Sequence, residues 1–416
     1  MCRRRAAGGF HPCIQLKKLF FKDGHIIKDI LYRSEEHCVP APTMSSIAFS
    51  ICIPVYNTKK YLTECLASAL AQNYANYEIL IVDDGSTDGS GAVCDEYQQQ
   101  HKDFIQVYHQ KNQGLISARR KAIANAQGDY LVFLDSDDML VPNALETLAN
   151  KLDETNADII LYHYYSCASD NCTYIKVDKR LPFKDNDVFA GDSKAKLYDA
   201  FIQDNSLNMM WMKCIRRELV QSDPLDYGQF RLLNVCEDLL QSLWPMTEAK
   251  KVVYISSPLY VYRINSGSLT HNLKVDSMKS KSAVHVFNHF LTFLPRWGRD
   301  TKEIHDLLEN RWFHSICHVQ FLCLRDCASG KEKDSFFSFD WKSMVPKEAL
   351  EHLWDNPHIL SEDRDWWLAV EMQDMRKLNR LLFKKRLYVY RQYFKVFLNN
   401  ICHPRRLMLK IKAHLS

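Results

Sequence analysis

No stretch of this chain approaches eighteen consecutive apolar residues, and no positively charged start leads into an apolar segment with a cleavage site. A membrane-spanning helix is therefore not expected, and a cytoplasmic protein is. None of the fourteen cysteines pairs as C-x-x-C, which argues against zinc ribbons and disulfide scaffolds. Cys52 in a strand pattern and Cys65 on a helix face are instead placed as small hydrophobes. No RNA- or DNA-binding module is recognisable, so nucleic acid is not an expected partner. Acid is missing from one end: Arg376 to Ser416 holds twelve Lys and Arg and no Asp or Glu. That segment carries +12, which leaves −8 on the preceding residues of a chain whose net charge is +4.

What is there is ordinary globular material, 416 residues at 46% hydrophobic and 25% charged, enough for two or three units. Residues 1–43 show no sustained periodicity; they are expected to be a disordered leader or a start-site artefact, with Met44 as the initiator. From Ile47 the pattern becomes regular. AFSICIPVY reads as a buried strand, and Asn57 or Thr58 is placed to cap a helix with Leu62, Cys65, Leu66, Ala69 and Leu70 along one stripe. YEILIVDD is a second strand, FIQVYH a third, and QGLISARRKAIANAQG a helix closed near Gly128. Strands alternating with helices predict an α/β fold with a mainly parallel sheet and helices on both faces.

The sheet's next strand, Tyr130 to Leu134, breaks into Asp135, Ser136, Asp137 and Asp138. Three carboxylates in four residues repel one another and resist burial, so the run calls for a cation or for several N–H donors. Mg²⁺ or Mn²⁺ held with substrate phosphates satisfies the first reading, and an Asp-rich turn capping the helix near Pro142 satisfies the second. Three polar clusters, PVYN, DDGSTD and DSDD, fall at the carboxyl ends of strands, where such sheets bind ligands.

PVYN, ILIVDDGSTDGS, NQGLISARR and FLDSDD, in that order and spacing across residues 47 to 141, resemble the inverting family 2 glycosyltransferases of bacterial surface-polysaccharide synthesis, which have the Rossmann-like GT-A fold. The resemblance implies a UDP-sugar donor, a divalent metal, and a glycan or lipid-linked glycan acceptor. It also implies roles. Pro54 and Tyr56 would line base and ribose, Asp84 would accept a hydrogen bond from the uracil ring, and Arg119 would face the nucleotide, with Arg120 as its rival for that position. Asp135 and Ser136 would contact the nucleotide sugar, and Asp137, with Asp135, would hold the metal. NVCEDLLQSLWP resembles the family's E-D motif, which makes Asp238 the catalytic base and Glu237 its orienting neighbour. KVVYISSPLYVYRINSGSLTHN reads as two strands and a loop. Its ending resembles the segment that closes over the diphosphate, with Arg263, Ser268 and His271 as contacts; His271 is a metal ligand or a surface-loop histidine.

These readings put a GT-A domain at residues 44–265, a helical region at 266–375 in which Trp354, Trp366 and Trp367 pack helices together, and a basic amphipathic tail at 376–416. The tail suits an anionic membrane surface at the inner face of the cell membrane, or a helix docked on the body or in a homodimer. The expected activity is hexosyl transfer. A nucleotidyltransferase would need a Gly- and Lys-rich loop that PVYNTKK does not supply; a noncatalytic scaffold with the same fold is the other alternative.

Overall fold

A computed structural model describes residues 45–168, 174–176, 181–203, 205–230, 233, 236–264, 280–327 and 330–384, together with two short strands near the N-terminus. Those strands, β1 (Phe20–Lys22) and β2 (His25–Ile27), pair with each other and not with the main sheet. Ser268 and His271 lie outside the described residues, as does the tail beyond Lys384.

The main sheet is built from β3 (Phe49–Val55), β4 (Tyr77–Asp83), β5 (Ile105–His109), β6 (Tyr130–Phe133), β7 (Met139–Leu140), β8 (Ile159–Ala168), β9 (Tyr174–Lys176), β10 (Val188–Ala190), β11 (Lys213–Arg216) and β12 (Lys251–Ile264). Its order is β10-β12-β8-β11-β6-β3-β4-β5, with β7 added to β12 and β9 to β8. Pairs β5-β4, β4-β3, β3-β6 and β8-β12 are parallel. β11 runs antiparallel between β6 and β8, so the sheet is mixed where the sequence suggested a mainly parallel one. All seven residues of β3 and all four of β6 are buried, which is why both read as unbroken apolar runs rather than alternations.

Helices α1 (Lys59–Leu70), α2 (Ser90–Gln100), α3 (Leu115–Asn125) and α4 (Ala144–Thr155) supply the crossovers. Leu62, Cys65, Leu66 and Ala69 are the buried stripe of α1, as their spacing predicts. Gly128 does not close α3, which is already capped at Ala126. A Cβ on Gly128 would stand 2.5 Å from the Phe49 carbonyl carbon, so this glycine lets the chain cross close against β3. The predicted pair of strands at KVVYISSPLYVYRI is one strand, β12. Its register against β8 shifts on either side of Pro258, which has no N–H to offer the ladder.

Beyond α5 (Ala195–Gln203), α6 (Arg217–Gln221) and α7 (Glu237–Glu248), the chain continues as α8 (Ser280–Leu291), α9 (Lys302–Asp326), α10 (Gly330–Ser338), α11 (Lys347–Glu351) and α12 (Ser361–Glu371). These are fastened to α5 and α7. Trp297 stacks on Tyr198 at 4.6 Å and donates to Thr247 Oγ1 at 2.9 Å, and Arg299 pairs with Asp199 at 2.6 Å. Trp366 and Trp367 are each 2% exposed, whereas Trp354 is 55% exposed, with the Arg364 guanidinium of α12 5.9 Å from its ring centroid. Residues 375–384 form one more helical segment, with Leu378 fully buried. Among the described residues, no helix is long and apolar enough to cross a membrane.

Candidate active site

The carboxyl ends of β3, β4 and β6 open on one edge of the sheet, and each polar cluster sits there. Asp84 N–H donates to Val55 O at 2.8 Å and Leu134 N–H to Cys52 O at 3.0 Å, which holds the three strand ends level. Asn57, at a φ of 53°, receives Thr87 N–H at 2.8 Å, and Asp88 receives Lys59 N–H and Ser90 N–H, both at 2.9 Å. The loops after β3 and β4 are thus laced to each other. Neither Asn57 nor Thr58 caps α1 with its side chain; the Thr58 hydroxyl donates to Ser136 Oγ at 2.9 Å. Pro54 is buried within β3, whereas Tyr56 is 50% exposed at the strand's end. Of that pair, only Tyr56 presents a ring to solvent.

Asp84 is 3% exposed, and its carboxylate receives Gln110 Nε2 (2.7 Å), Gln113 N–H (2.8 Å) and Gly114 N–H (2.8 Å). Those donors anchor the loop that leads into α3. Its neighbour Asp83 pairs with His109 Nδ1 at 2.9 Å and receives Ser86 N–H at 3.0 Å.

Arg119 settles its rivalry with Arg120. It is 1% exposed and its guanidinium bridges two acids, reaching Asp135 Oδ1 at 2.9 Å and Asp238 Oδ1 through its other terminal nitrogen. The latter pair is 119 residues apart in sequence. Arg120 instead donates to Val220 O at 3.0 Å and lies over the Tyr227 ring. A buried charge such as Arg119 is tolerated because it is paired on both sides, and the pairing draws α7 to the end of β6.

The D-x-D turn divides its acids by environment. Asp135 is held by Arg119, and burial still raises its carboxyl above the usual range. Asp138 is 1% exposed; burial pushes its carboxyl up further, and it accepts Tyr260 Oη at 2.7 Å and Arg263 N–H at 2.7 Å. The Tyr260 hydroxyl also accepts Asp135 N–H at 3.1 Å. Asp137 is only partly buried. Glu237, opening α7, is pushed up to about 7 by burial first and by neighbouring Asp238 second.

Arg263 is 2% exposed. It donates from Nε to Asp137 O at 2.9 Å, pairs with Glu64 on α1, and lies 5.0 Å from the Tyr61 ring centroid. It braces the D-x-D turn from behind, a different placement from the open diphosphate contact expected of it. Tyr260 and Glu64 were not singled out from sequence, and Thr58 was read there only as a helix cap; the one signal for Tyr260 was the alternation in LYVYR, which sets Tyr260 and Tyr262 on one face of β12.

Among the described residues, no three His, Cys, Asp or Glu side chains converge as a metal cage. A hard divalent ion would rest on one or two carboxylates, with phosphate oxygens and water completing its shell, and the acceptor-only oxygens of Asp137 and Asp135 fit that donor set.

Residues 50–220 match the family model described as glycosyl transferase family 2. Glycosyltransferase GlyG of Streptococcus pneumoniae is 30% identical over 287 residues, which cover 64% of this chain and 93% of that protein. A cholesterol galactosyltransferase of Borreliella burgdorferi is 29% identical over 255 residues, covering 60% of this chain and 68% of that one. The crystal structure of S. aureus TarS 1-349 in complex with UDP-GlcNAc superposes with a TM-score of 0.53 at 20% identity. It covers 82% of this chain and 92% of that one, a likeness of fold. The mixed sheet and its helices thus have the GT-A architecture, and this chain belongs to glycosyltransferase family 2.

Proposed function

We propose that this glycosyltransferase moves a sugar from a UDP-sugar to a hydroxyl of a glycan or lipid-linked glycan, with inversion at the anomeric carbon. The observation that carries the reading is Arg119, which ties the acid after β6 to the acid that opens α7. In this reading a nucleotide end and a base end lie on either side of that buried cation. The complex of TarS with UDP-GlcNAc and the galactosyltransferase among the relatives favour a UDP-sugar donor.

In this mechanism Tyr56 offers its exposed ring to the base, and Asp84, with spare lone pairs beyond its three internal donors, is the base-edge acceptor. Ser136 and Asp135 face the ribose and diphosphate. Asp137, with Asp135, would hold Mn²⁺ or Mg²⁺; when bound, the ion neutralises charge on the departing diphosphate. Asp238 takes the proton from the acceptor hydroxyl as that oxygen attacks from the side opposite UDP. Arg119 pairs with Asp238 and aims it, and Glu237 stands at the preceding position. Pro54 supports the strand end from within, and Arg263 holds the turn in place. Ser268 and His271 retain the roles the family resemblance gives them.

UDP release from a panel of UDP-sugars with Mn²⁺ tests the proposal. Release by the wild type that falls by about a hundredfold or more in Asp238→Asn and Asp137→Ala is expected. Tight UDP binding without turnover on any acceptor would favour a noncatalytic scaffold. The domain limits at residues 44–265, 266–375 and 376–416 remain part of the proposal, as do the homodimer and the attachment of the tail to an anionic membrane surface.

A further inference from the structure

β4 and β5 end side by side, and their last residues, Asp83 and His109, are register partners in the parallel pair. The His109 ring lies between two acids. Its Nδ1 is 2.9 Å from Asp83 Oδ2, and its Nε2 is 2.9 Å from Asp95 Oδ1 on α2. Gly91, in the first turn of α2, leaves room for this bridge: a Cβ there would stand 2.9 Å from Asp83 Oδ2 and 3.5 Å from His109 Cε1. A neutral imidazole has one N–H and one lone pair, so with an acid at each nitrogen it would turn the lone pair on a carboxylate oxygen. Only the imidazolium donates to both.

The bridge adjoins the residues assigned to the nucleotide base. On one side, Asp83 Oδ1 accepts Ser86 N–H at 3.0 Å, and Ser86 Oγ accepts the N–H of Asn57, next to Tyr56, at 3.0 Å. On the other, Gln110 follows His109 and donates its N–H to Asp83 O at 2.9 Å and its Nε2 hydrogen to Asp84 Oδ1 at 2.7 Å. Asn57 and Gln110 thus carry the position of the bridge to Tyr56 and Asp84. Resting on the glycosyltransferase reading above, in which those two residues meet the base, we infer that His109 is a positioning residue for the donor. As an imidazolium it locks the ends of β4 and β5 to α2, and the site so held takes a uridine nucleotide more tightly than the site with a neutral His109.

The groups around the ring set the direction of the effect. Asp83 of β4 and Asp95 of α2 face its two nitrogens, and Lys121 of α3 donates to the residue's carbonyl at 3.3 Å. The two acids raise the imidazole above its usual 6.5, Asp83 first and Asp95 second, against the opposing effect of burial. Because the folded value lies above the unfolded one, the bridge is complete below about 6.5 and is lost as pH rises through a midpoint above it.

Calorimetry of UDP binding with Mg²⁺ present, from pH about 6 to about 8.5, tests this on the full chain and its His109→Gln and Asp95→Asn variants. The phosphate of UDP titrates in the same range, but alike for all three proteins, so the comparison removes it. Wild-type affinity should exceed that of His109→Gln by about two- to tenfold at the low end, the worth of one hydrogen bond, and the two should converge at the high end. Asp95→Asn should move the midpoint of the fall to lower pH. Because Asp95 is 52% exposed, this variant leaves the core intact, and its shift alone decides the matter if His109→Gln does not fold. Parallel pH profiles in the wild type and His109→Gln, the mark of a merely structural ring, overturn the assignment. So does a midpoint that Asp95→Asn leaves in place. A wild type that binds UDP at no pH overturns the donor reading together with this one, whereas UDP binding indifferent to His109 overturns this one alone.

Discussion

Glu237 stands immediately before Asp238 at the start of α7, in a place where desolvation outweighs whatever the helix end offers a carboxylate. Its carboxyl, pushed from 4.5 to about 7, is more easily protonated in the folded chain than in the unfolded one. Any stability gained from that preference is complete below about 4.5 and is lost as pH rises through about 7. Above that range the ionised group is a standing cost, on the order of 3 kcal/mol at most. Glu237→Gln cannot ionise, so its thermal midpoint should gain on the wild type as pH is raised from about 4.5 to about 8. Melting curves across that range check it, and a difference that stays flat would show that Glu237 titrates normally. The residue scale also shows what the motifs alone could not decide. Arg119 and Arg120 have the same side chain one position apart, and only the packing of α3 against β3 sends the first toward the acids and the second toward Tyr227.

At the scale of elements, the parts that were legible are those whose signal is local. β3, β4 and β6 are buried on both faces and so stand out as apolar runs, and the stripe on α1 and the acid pair opening α7 follow from spacing. The parts that were hidden depend on partners distant in sequence. The direction of β11 is set by β6 and β8, and nothing in KCIR announces it. The unity of β12 was obscured by Pro258, which reads as a break but sits at a register shift. The turn after β6 had the look of a self-contained acid motif, yet it is held by β12 and α1 through Tyr260, Arg263 and Glu64. That clasp gives a second prediction. Glu64→Ala leaves the buried Arg263 without its carboxylate while its contacts to Asp137 O and Tyr61 remain. The loss should be about 1–3 kcal/mol of unfolding free energy. Because Glu64 is itself 55% exposed, the lower half of that range is expected. Urea unfolding measures it, and an unchanged midpoint would show that Asp137 O and Tyr61 suffice to hold Arg263.

The whole molecule is polarised, with its acids concentrated in the body and its last segment wholly basic. The two readings of that segment divide along the chain rather than compete. Residues 375–384 lie against the body through the buried Leu378 and the partly buried Leu381 and Leu382, and Lys377 pairs with Asp365 at 2.7 Å, so this part serves the fold. Of the twelve basic residues, Arg376, Lys377, Arg380 and Lys384 lie in that docked segment, and the other eight lie in residues 385–416. A charge of +8 on that length, interleaved with Leu, Tyr and Phe, would favour a surface of anionic lipid by roughly 1 kcal/mol for each basic residue that reaches it. A deletion beginning at Lys385 therefore tests the membrane proposal without opening the core, whereas one beginning at Met375 would also remove Leu378. The full chain should sediment with vesicles containing phosphatidylglycerol and be released as salt is raised, since exposed charge is screened within about 8–10 Å. The shortened chain should remain in the supernatant, and equal sedimentation of the two would end the assignment of the tail to a membrane.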